Sequence, residues 1–192
     1  MTLPTKLTLS RIVLTFITMA LLFTPGLLAK SAALICFVLA SATDWLDGWL
    51  ARRWRQVSPL GVLLDPIADK ILILGVFLAC VQLGLIPAWM VLIIALRELL
   101  ITSVRLMAAR RQLVLPAAAE GKHKTVSQVL TILVVLVSLI AQERSPAAFW
   151  RQLIELCMWV TLVLTVVSGT TFFTRHWSVL NEALNHERKH HA

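Results

Sequence analysis

Thr43-Asp44-Trp45-Leu46-Asp47-Gly48-Trp49-Leu50-Ala51-Arg52-Arg53-Trp54 closes one long apolar run of this chain, and Gly61-Val62-Leu63-Leu64-Asp65-Pro66-Ile67-Ala68-Asp69-Lys70 opens the next. Together they hold every aspartate in a sequence of 192 residues. Asp44 and Asp47 are three residues apart, and Gly48, Ala51 and Arg52 continue the same surface. Gly61, Asp65 and Asp69 follow one another at steps of four. Such spacings share one face of a helix. Between the two stretches, Arg53 to Leu60 is basic and then turn-forming, so the helices can fold back antiparallel. Four carboxylates then converge at one end of a bundle.

The composition around these stretches is that of a membrane protein. The chain is 58% hydrophobic and 15% charged, against about 45–50% and about 25% in ordinary soluble domains. A soluble globule of this size cannot bury so much apolar surface, and intrinsic disorder is excluded more firmly still. Seven prolines punctuate the apolar runs and leave six helix candidates, 7–24, 30–53, 64–84, 87–109, 125–141 and 148–173. With about 20 residues needed per span, the expected fold is an all-α integral membrane protein. It is a six-transmembrane-helix bundle forming a single domain over 1–192, with a polar C-terminal tail from about 175. A cleaved signal peptide is the competing reading of the first run, and Thr8 and Arg11 inside it argue against that.

Charge sets the orientation. Eighteen basic and ten acidic residues give +8. With six spans, twelve Lys and Arg fall on the side of the N-terminus, the 2–3 and 4–5 loops and the tail, and three on the other. Both termini are therefore expected in the cytoplasm, in the cell inner membrane. No basic stripe is interleaved with aromatics, so no nucleic acid partner is expected. Cys36, Cys80 and Cys157 are far apart within apolar runs and read as structural thiols.

Energy argues that the aspartates have a task. A carboxylate near mid-membrane costs about 2.5–3.5 kcal/mol, so four cost on the order of 10 kcal/mol, and like charges close together repel. Divalent cations relieve both penalties, and carboxylate ligands without His or Cys favour Mg²⁺, Mn²⁺ or Ca²⁺ over zinc. Capping and pairing with Arg52, Arg53 or Lys70 is the simpler alternative. Asp65-Pro66 does read as a helix start, which explains one aspartate and not the spacing of the rest.

Asp44-x2-Asp47-Gly48-x2-Ala51-Arg52-x8-Gly61-x3-Asp65-x3-Asp69 resembles, without a gap, the signature of the CDP-alcohol phosphotransferases. Eight specified positions at roughly 5% each recur by chance on the order of 10⁻¹⁰ per starting point. The resemblance implies a six-helix membrane bundle, usually a homodimer, in which an alcohol displaces CMP from a CDP-linked substrate. It implies two divalent cations, Mg²⁺ or Mn²⁺, held by Asp44, Asp47 and Asp65, with Asp69 as general base and further metal contact. Gly48, Ala51, Arg52 and Gly61 are then expected at the CDP moiety, where small residues let a nucleotide approach; close helix packing explains Ala51 equally. In Pro4-Thr5-Lys6-Leu7-Thr8-Leu9-Ser10-Arg11, ahead of the first helix, Thr8 and Arg11 match family positions for CDP contact. Thr5 stands where the family often has asparagine, a departure that leaves its role open.

The acceptor is read elsewhere. Arg97 and Arg105 lie eight apart in an otherwise apolar helix, so they can share a face, and Gly121-Lys122-His123-Lys124-Thr125 opens the next helix. An arginine within a membrane is a functional candidate by default, and a basic pocket suits a phosphate dianion. Pairing of Arg97 with Glu98 or Glu120, or snorkelling of Arg105, is the structural alternative. The stretch is also similar to that of bacterial phosphatidylglycerophosphate synthases, which implies Arg97, Arg105, Lys122 and, less directly, Lys124 as ligands of sn-glycerol 3-phosphate. CDP-diacylglycerol from the surrounding lipid is then the donor. Rival readings are a cardiolipin synthase, an inositol-phosphate acceptor as in phosphatidylinositol-phosphate synthases, and, outside enzymes, a divalent-cation transporter. A transporter needs acidic groups through the other half of the membrane, and the two runs that carry the aspartates have none there. His186, His190 and His191 of the tail read as solvated, with metal binding the alternative.

Overall fold

The computed structural model describes the backbone of residues 3–54, 59–110, 120–142 and 146–190, and side chains for 8–43, 67–68, 70–108, 123–142, 146–175 and 177. Six helices account for nearly all of it: α1 (Leu3–Phe23), α2 (Leu27–Trp54), α3 (Pro59–Gln82), α4 (Ala88–Arg110), α5 (Glu120–Ala141) and α6 (Ala147–His190). They form two groups of three. In one, α1 packs against both α2 and α3; in the other, α6 packs against α4 and α5. Contacts of α5 with α2 and α3, and of α3 with α4, join the groups.

The turns have local causes. Gly26, after Pro25, adopts φ 104° between α1 and α2. Gly84 adopts φ 71° and ends α3: its N–H bonds to the Val81 carbonyl, and the Leu85 N–H to that of Cys80. This is the paired bonding that satisfies the last carbonyls of a helix through a left-handed residue. Where α1 crosses α3, a Cβ on Gly75 would lie 3.0 Å from Thr15 Cγ2 and 3.4 Å from the Met19 sulfur. The crossing distance therefore depends on a missing side chain.

Apolar side chains lie on both sides of the helices. Phe37, Phe77, Leu72, Ile94, Ile132 and Met158 form part of one continuous core, while Phe16, Leu28, Leu156 and Val163 stand exposed. Polar groups, by contrast, turn inward. Thr8, Arg11, Thr15 and Thr18 make a buried line along α1, and Thr15 and Thr18 donate to the carbonyls of Arg11 and Leu14 at 2.9 and 2.8 Å. An apolar exterior around a polar seam is the arrangement of a membrane protein. Among the described residues, His123–Ala141 and Ala147–Arg175 are long and apolar enough to span a bilayer, and Thr8–Phe23, Leu27–Thr43 and Lys70–Gln82 are shorter apolar stretches. The three cysteines are free thiols, Cys80 fully buried.

Three expectations need correction. The segment Pro4–Arg11 does not precede the first helix but forms its first turns, with Pro4 where a missing N–H is harmless. Asp65-Pro66 is not a helix start either. α3 begins at Pro59, which takes that favourable position, and Pro66 lies inside the helix. Nor does the last helix stop at 173: α6 continues through the polar tail to His190, about 66 Å at 1.5 Å per residue. Residues 191–192, including His191, lie outside the described residues.

Candidate active site

Asp44, Asp47, Gly48, Ala51 and Arg52 lie on the last turns of α2; Gly61, Asp65 and Asp69 lie on the first turns of α3. Four residues separate Trp54 from Pro59, so chain length alone holds the two helix ends within about 18 Å. The side chains of these eight residues, and of Lys122 on α5, are outside the described residues. The helical backbone gives each set of carboxylates the common face their spacing requires. An all-oxygen donor set of that kind fits Mg²⁺ or Mn²⁺.

Thr8 and Arg11 are on the buried face of α1, Arg11 with no exposed surface. Both residues thus lie in the α1–α2–α3 group, whose α2 and α3 carry the carboxylate stretches.

The basic residues of the other group meet at one carboxylate. Glu98 Oε1 accepts from Lys124 Nζ on α5 and, at 3.2 Å, from Arg97 Nη1. Arg97 Nη2 in turn donates to Ser168 Oγ on α6. Beside Ser168, a Cβ on Gly169 would come within 3.1 Å of Arg97 Cγ, so this glycine makes room for the arginine stem. Arg105, two turns further along α4, lies over the Phe172 ring with Cζ 5.5 Å from its centroid, and is exposed. Both arginines therefore face α6, as their spacing predicts. The charge of Lys70, next to Asp69 on α3, also acts on Glu98. Glu98 is thus shared by two ion-paired cations, Arg97 and Lys124, with Lys70 acting on it from the helix that carries Asp65 and Asp69.

Part of this seam has spare bonding capacity. Among the described residues, the buried Arg97 Nε, Gln128 Nε2 and Thr165 Oγ1 lack hydrogen-bond partners, one on each of α4, α5 and α6. Deeper in, Thr131 and Thr161 bond hydroxyl to hydroxyl at 2.9 Å and close the seam. An apolar groove of about 740 Å³ runs between α4 and α6, with Leu96, Leu100, Val166, Phe173 and Trp177 in its lining and Arg97 in its wall. Sequence reasoning anticipated the Arg97–Glu98 pair only as an alternative. It missed the Lys124–Glu98 pair, Ser168 and Gly169. The one available signal was a Ser-Gly pair within an apolar helix, where small residues admit a bulky neighbour.

The model of the CDP-alcohol phosphatidyltransferase family matches residues 1–167. The chain belongs to this family. It is 37% identical to the CDP-diacylglycerol–glycerol-3-phosphate 3-phosphatidyltransferase of Bacillus subtilis (strain 168), over 93% of this chain and 96% of that protein. Identity to the proteins of the same name is 34% in Yersinia pestis (strain Pestoides F), over 93% and 97% of the two chains, and 29% in Rickettsia typhi, over 89% and 94%. The family match includes both aspartate stretches, the Arg97–Glu98 helix and the first half of α6, but ends before Gly169.

Proposed function

We infer that the chain is a multi-pass enzyme of the inner membrane that transfers the phosphatidyl group of CDP-diacylglycerol to sn-glycerol 3-phosphate, giving phosphatidylglycerophosphate and CMP. The relatives' shared name supports donor and acceptor alike. The observation that carries the acceptor is the cationic cluster around Glu98, beside the helix bearing Asp65 and Asp69. A neutral alcohol needs no such cluster, whereas a phosphate dianion does.

The six helices form one domain with both termini and the site on the cytoplasmic side, functioning as a homodimer. Asp44, Asp47, Asp65 and Asp69 hold two divalent cations, Mg²⁺ or Mn²⁺, which neutralise the donor's diphosphate. Gly48, Ala51, Arg52 and Gly61 receive the CDP moiety, with Thr8 and Arg11 at its edge. A diacylglycerol chain fits the apolar groove of α4 and α6. Arg97, Arg105 and Lys122 bind the phosphate of glycerol 3-phosphate, Arg97 through the Nε–H that has no other acceptor among the described residues. Lys124 contributes too, since Glu98 occupies only one of its three N–H donors. Glu98 keeps both cations in place. Asp69 takes the proton from the acceptor's 1-hydroxyl. The freed oxygen attacks the phosphorus that bears diacylglycerol, the bond from that phosphorus to CMP breaks, and CMP leaves.

CMP release by the purified chain is the test, with CDP-diacylglycerol and each candidate acceptor, in Mg²⁺, Mn²⁺ or EDTA. Release that needs both metal and glycerol 3-phosphate is expected. Release with inositol phosphate or phosphatidylglycerol in its place would keep the family chemistry and overturn the acceptor. No release with any acceptor, alongside metal flux into liposomes, would favour a transporter.

A further inference from the structure

A second pocket lies at the other end of the bundle. From Asp65 to Gln82, α3 rises about 26 Å, close to the roughly 30 Å hydrocarbon thickness of a bilayer. Beyond Gln82, the turn Gly84–Pro87 and the start of α4 face the first turns of α6 across a pocket of about 440 Å³, within the roughly 300–1,000 Å³ of small-molecule sites. Trp89 and Trp159 meet edge to face in its wall, with centroids 5.8 Å apart. Arg151 and Glu155, one turn apart on α6, supply its charges.

Those charges are not used on each other. Arg at i and Glu at i+4 are within reach on a helix, yet among the described residues neither forms an ion pair. One pocket thus presents a guanidinium, a carboxylate and two indole rings, all at bilayer-interface depth, where tryptophan is favoured. We propose that it binds the headgroup of a phospholipid carrying both a phosphate and a primary ammonium.

The guanidinium takes the phosphate in bidentate fashion. The carboxylate accepts from the ammonium, which also lies against the electron-rich indole faces. A purely anionic headgroup leaves Glu155 facing like charge. A quaternary ammonium has no N–H to offer it. A lipid fits better than a free headgroup because Leu92 and Val163, exposed one turn deeper than Trp89 and Trp159, continue the surface along which acyl chains lie. None of these residues belongs to the transfer site, so the proposal stands apart from the acceptor reading.

The full-length protein, delipidated in detergent and exposed to equal amounts of phosphatidylethanolamine, phosphatidylcholine and phosphatidylglycerol, is read by native mass spectrometry. Retention of phosphatidylethanolamine over phosphatidylglycerol by about tenfold is expected, the factor of one charged hydrogen bond. Glu155→Gln should erase the preference, and Arg151→Gln should lower retention of all three, with CMP release unchanged in both. Equal retention by the wild-type chain, or a preference that survives Glu155→Gln, overturns the site. Equal retention of phosphatidylcholine overturns the primary ammonium, and displacement of bound lipid by free phosphoethanolamine at equal concentration overturns the lipid as occupant.

Discussion

Replacing Glu98 with Gln separates two accounts of the basic cluster, because they differ in sign. If the cluster acts only through its summed charge, loss of the carboxylate adds one positive unit and tightens phosphate binding. If Glu98 acts by positioning, Gln leaves Lys124 and Arg97 free to move and weakens binding. The structure favours positioning. Glu98 and Lys124 are 9% and 8% exposed, and Arg97 is held at one end by Glu98 and at the other by Ser168. Truncating one partner of a buried ion pair costs about 3–5 kcal/mol. Gln retains the shape and one acceptor, so its cost is nearer the 1.5–3 kcal/mol of a charged hydrogen bond. Passed to the acceptor, that is a rise of roughly 10- to 100-fold in KM for glycerol 3-phosphate. CMP release is measured against glycerol 3-phosphate at saturating CDP-diacylglycerol, and KM for the donor is the internal control. A KM for glycerol 3-phosphate that falls or stays level, with kcat and helicity intact, would refute the positioning argument.

Other substitutions probe single links. Asp69→Asn should abolish turnover while leaving CDP-diacylglycerol binding measurable; retained kcat removes Asp69 as the base. Arg105→Ala should raise KM for glycerol 3-phosphate by about tenfold, the loss of one charged contact, with kcat preserved. An unchanged KM would leave Arg105 only its contact with Phe172. Gly169→Ala puts a methyl group 3.1 Å from Arg97 Cγ. The helix-propensity gain of about 1 kcal/mol offsets much of the packing strain, so thermal stability should stay within a few degrees while KM rises; a drop in stability with KM unchanged would make Gly169 a packing residue only.

The chemistry of the chain was more legible than its helix boundaries. Aspartate spacings of three and four predict shared faces, and the helical backbone of α2 and α3 supplies them. The eight-residue step from Arg97 to Arg105 likewise predicts two guanidinium groups facing one neighbour. Boundaries misled where a residue has two meanings. Pro66 reads as a start signal because its missing N–H is harmless in a first turn. Seven residues inside α3 it forgoes a bond to Val62, a loss that membrane helices tolerate when neighbouring groups compensate. The tail was read from polarity alone, yet residues 175–190 are rich in helix formers such as Glu, Leu, Arg and Lys, and α6 continues through them.

What no local pattern could reveal is which partner each charge takes. Arg97 has a neighbouring Glu98 in sequence, but Glu98 is also claimed by a lysine 26 residues away, and Arg97 by a serine 71 residues away. These bonds arise only when α4, α5 and α6 meet. Their consequence is chemical: one buried carboxylate cannot neutralise both Arg97 and Lys124. The surplus charge is tolerable in a membrane only where an anion comes to meet it. The acceptor phosphate is therefore expected to stabilise the α4–α5–α6 group as well as to react there, so glycerol 3-phosphate alone should raise the melting temperature of the wild-type chain and do so less in Arg97→Gln.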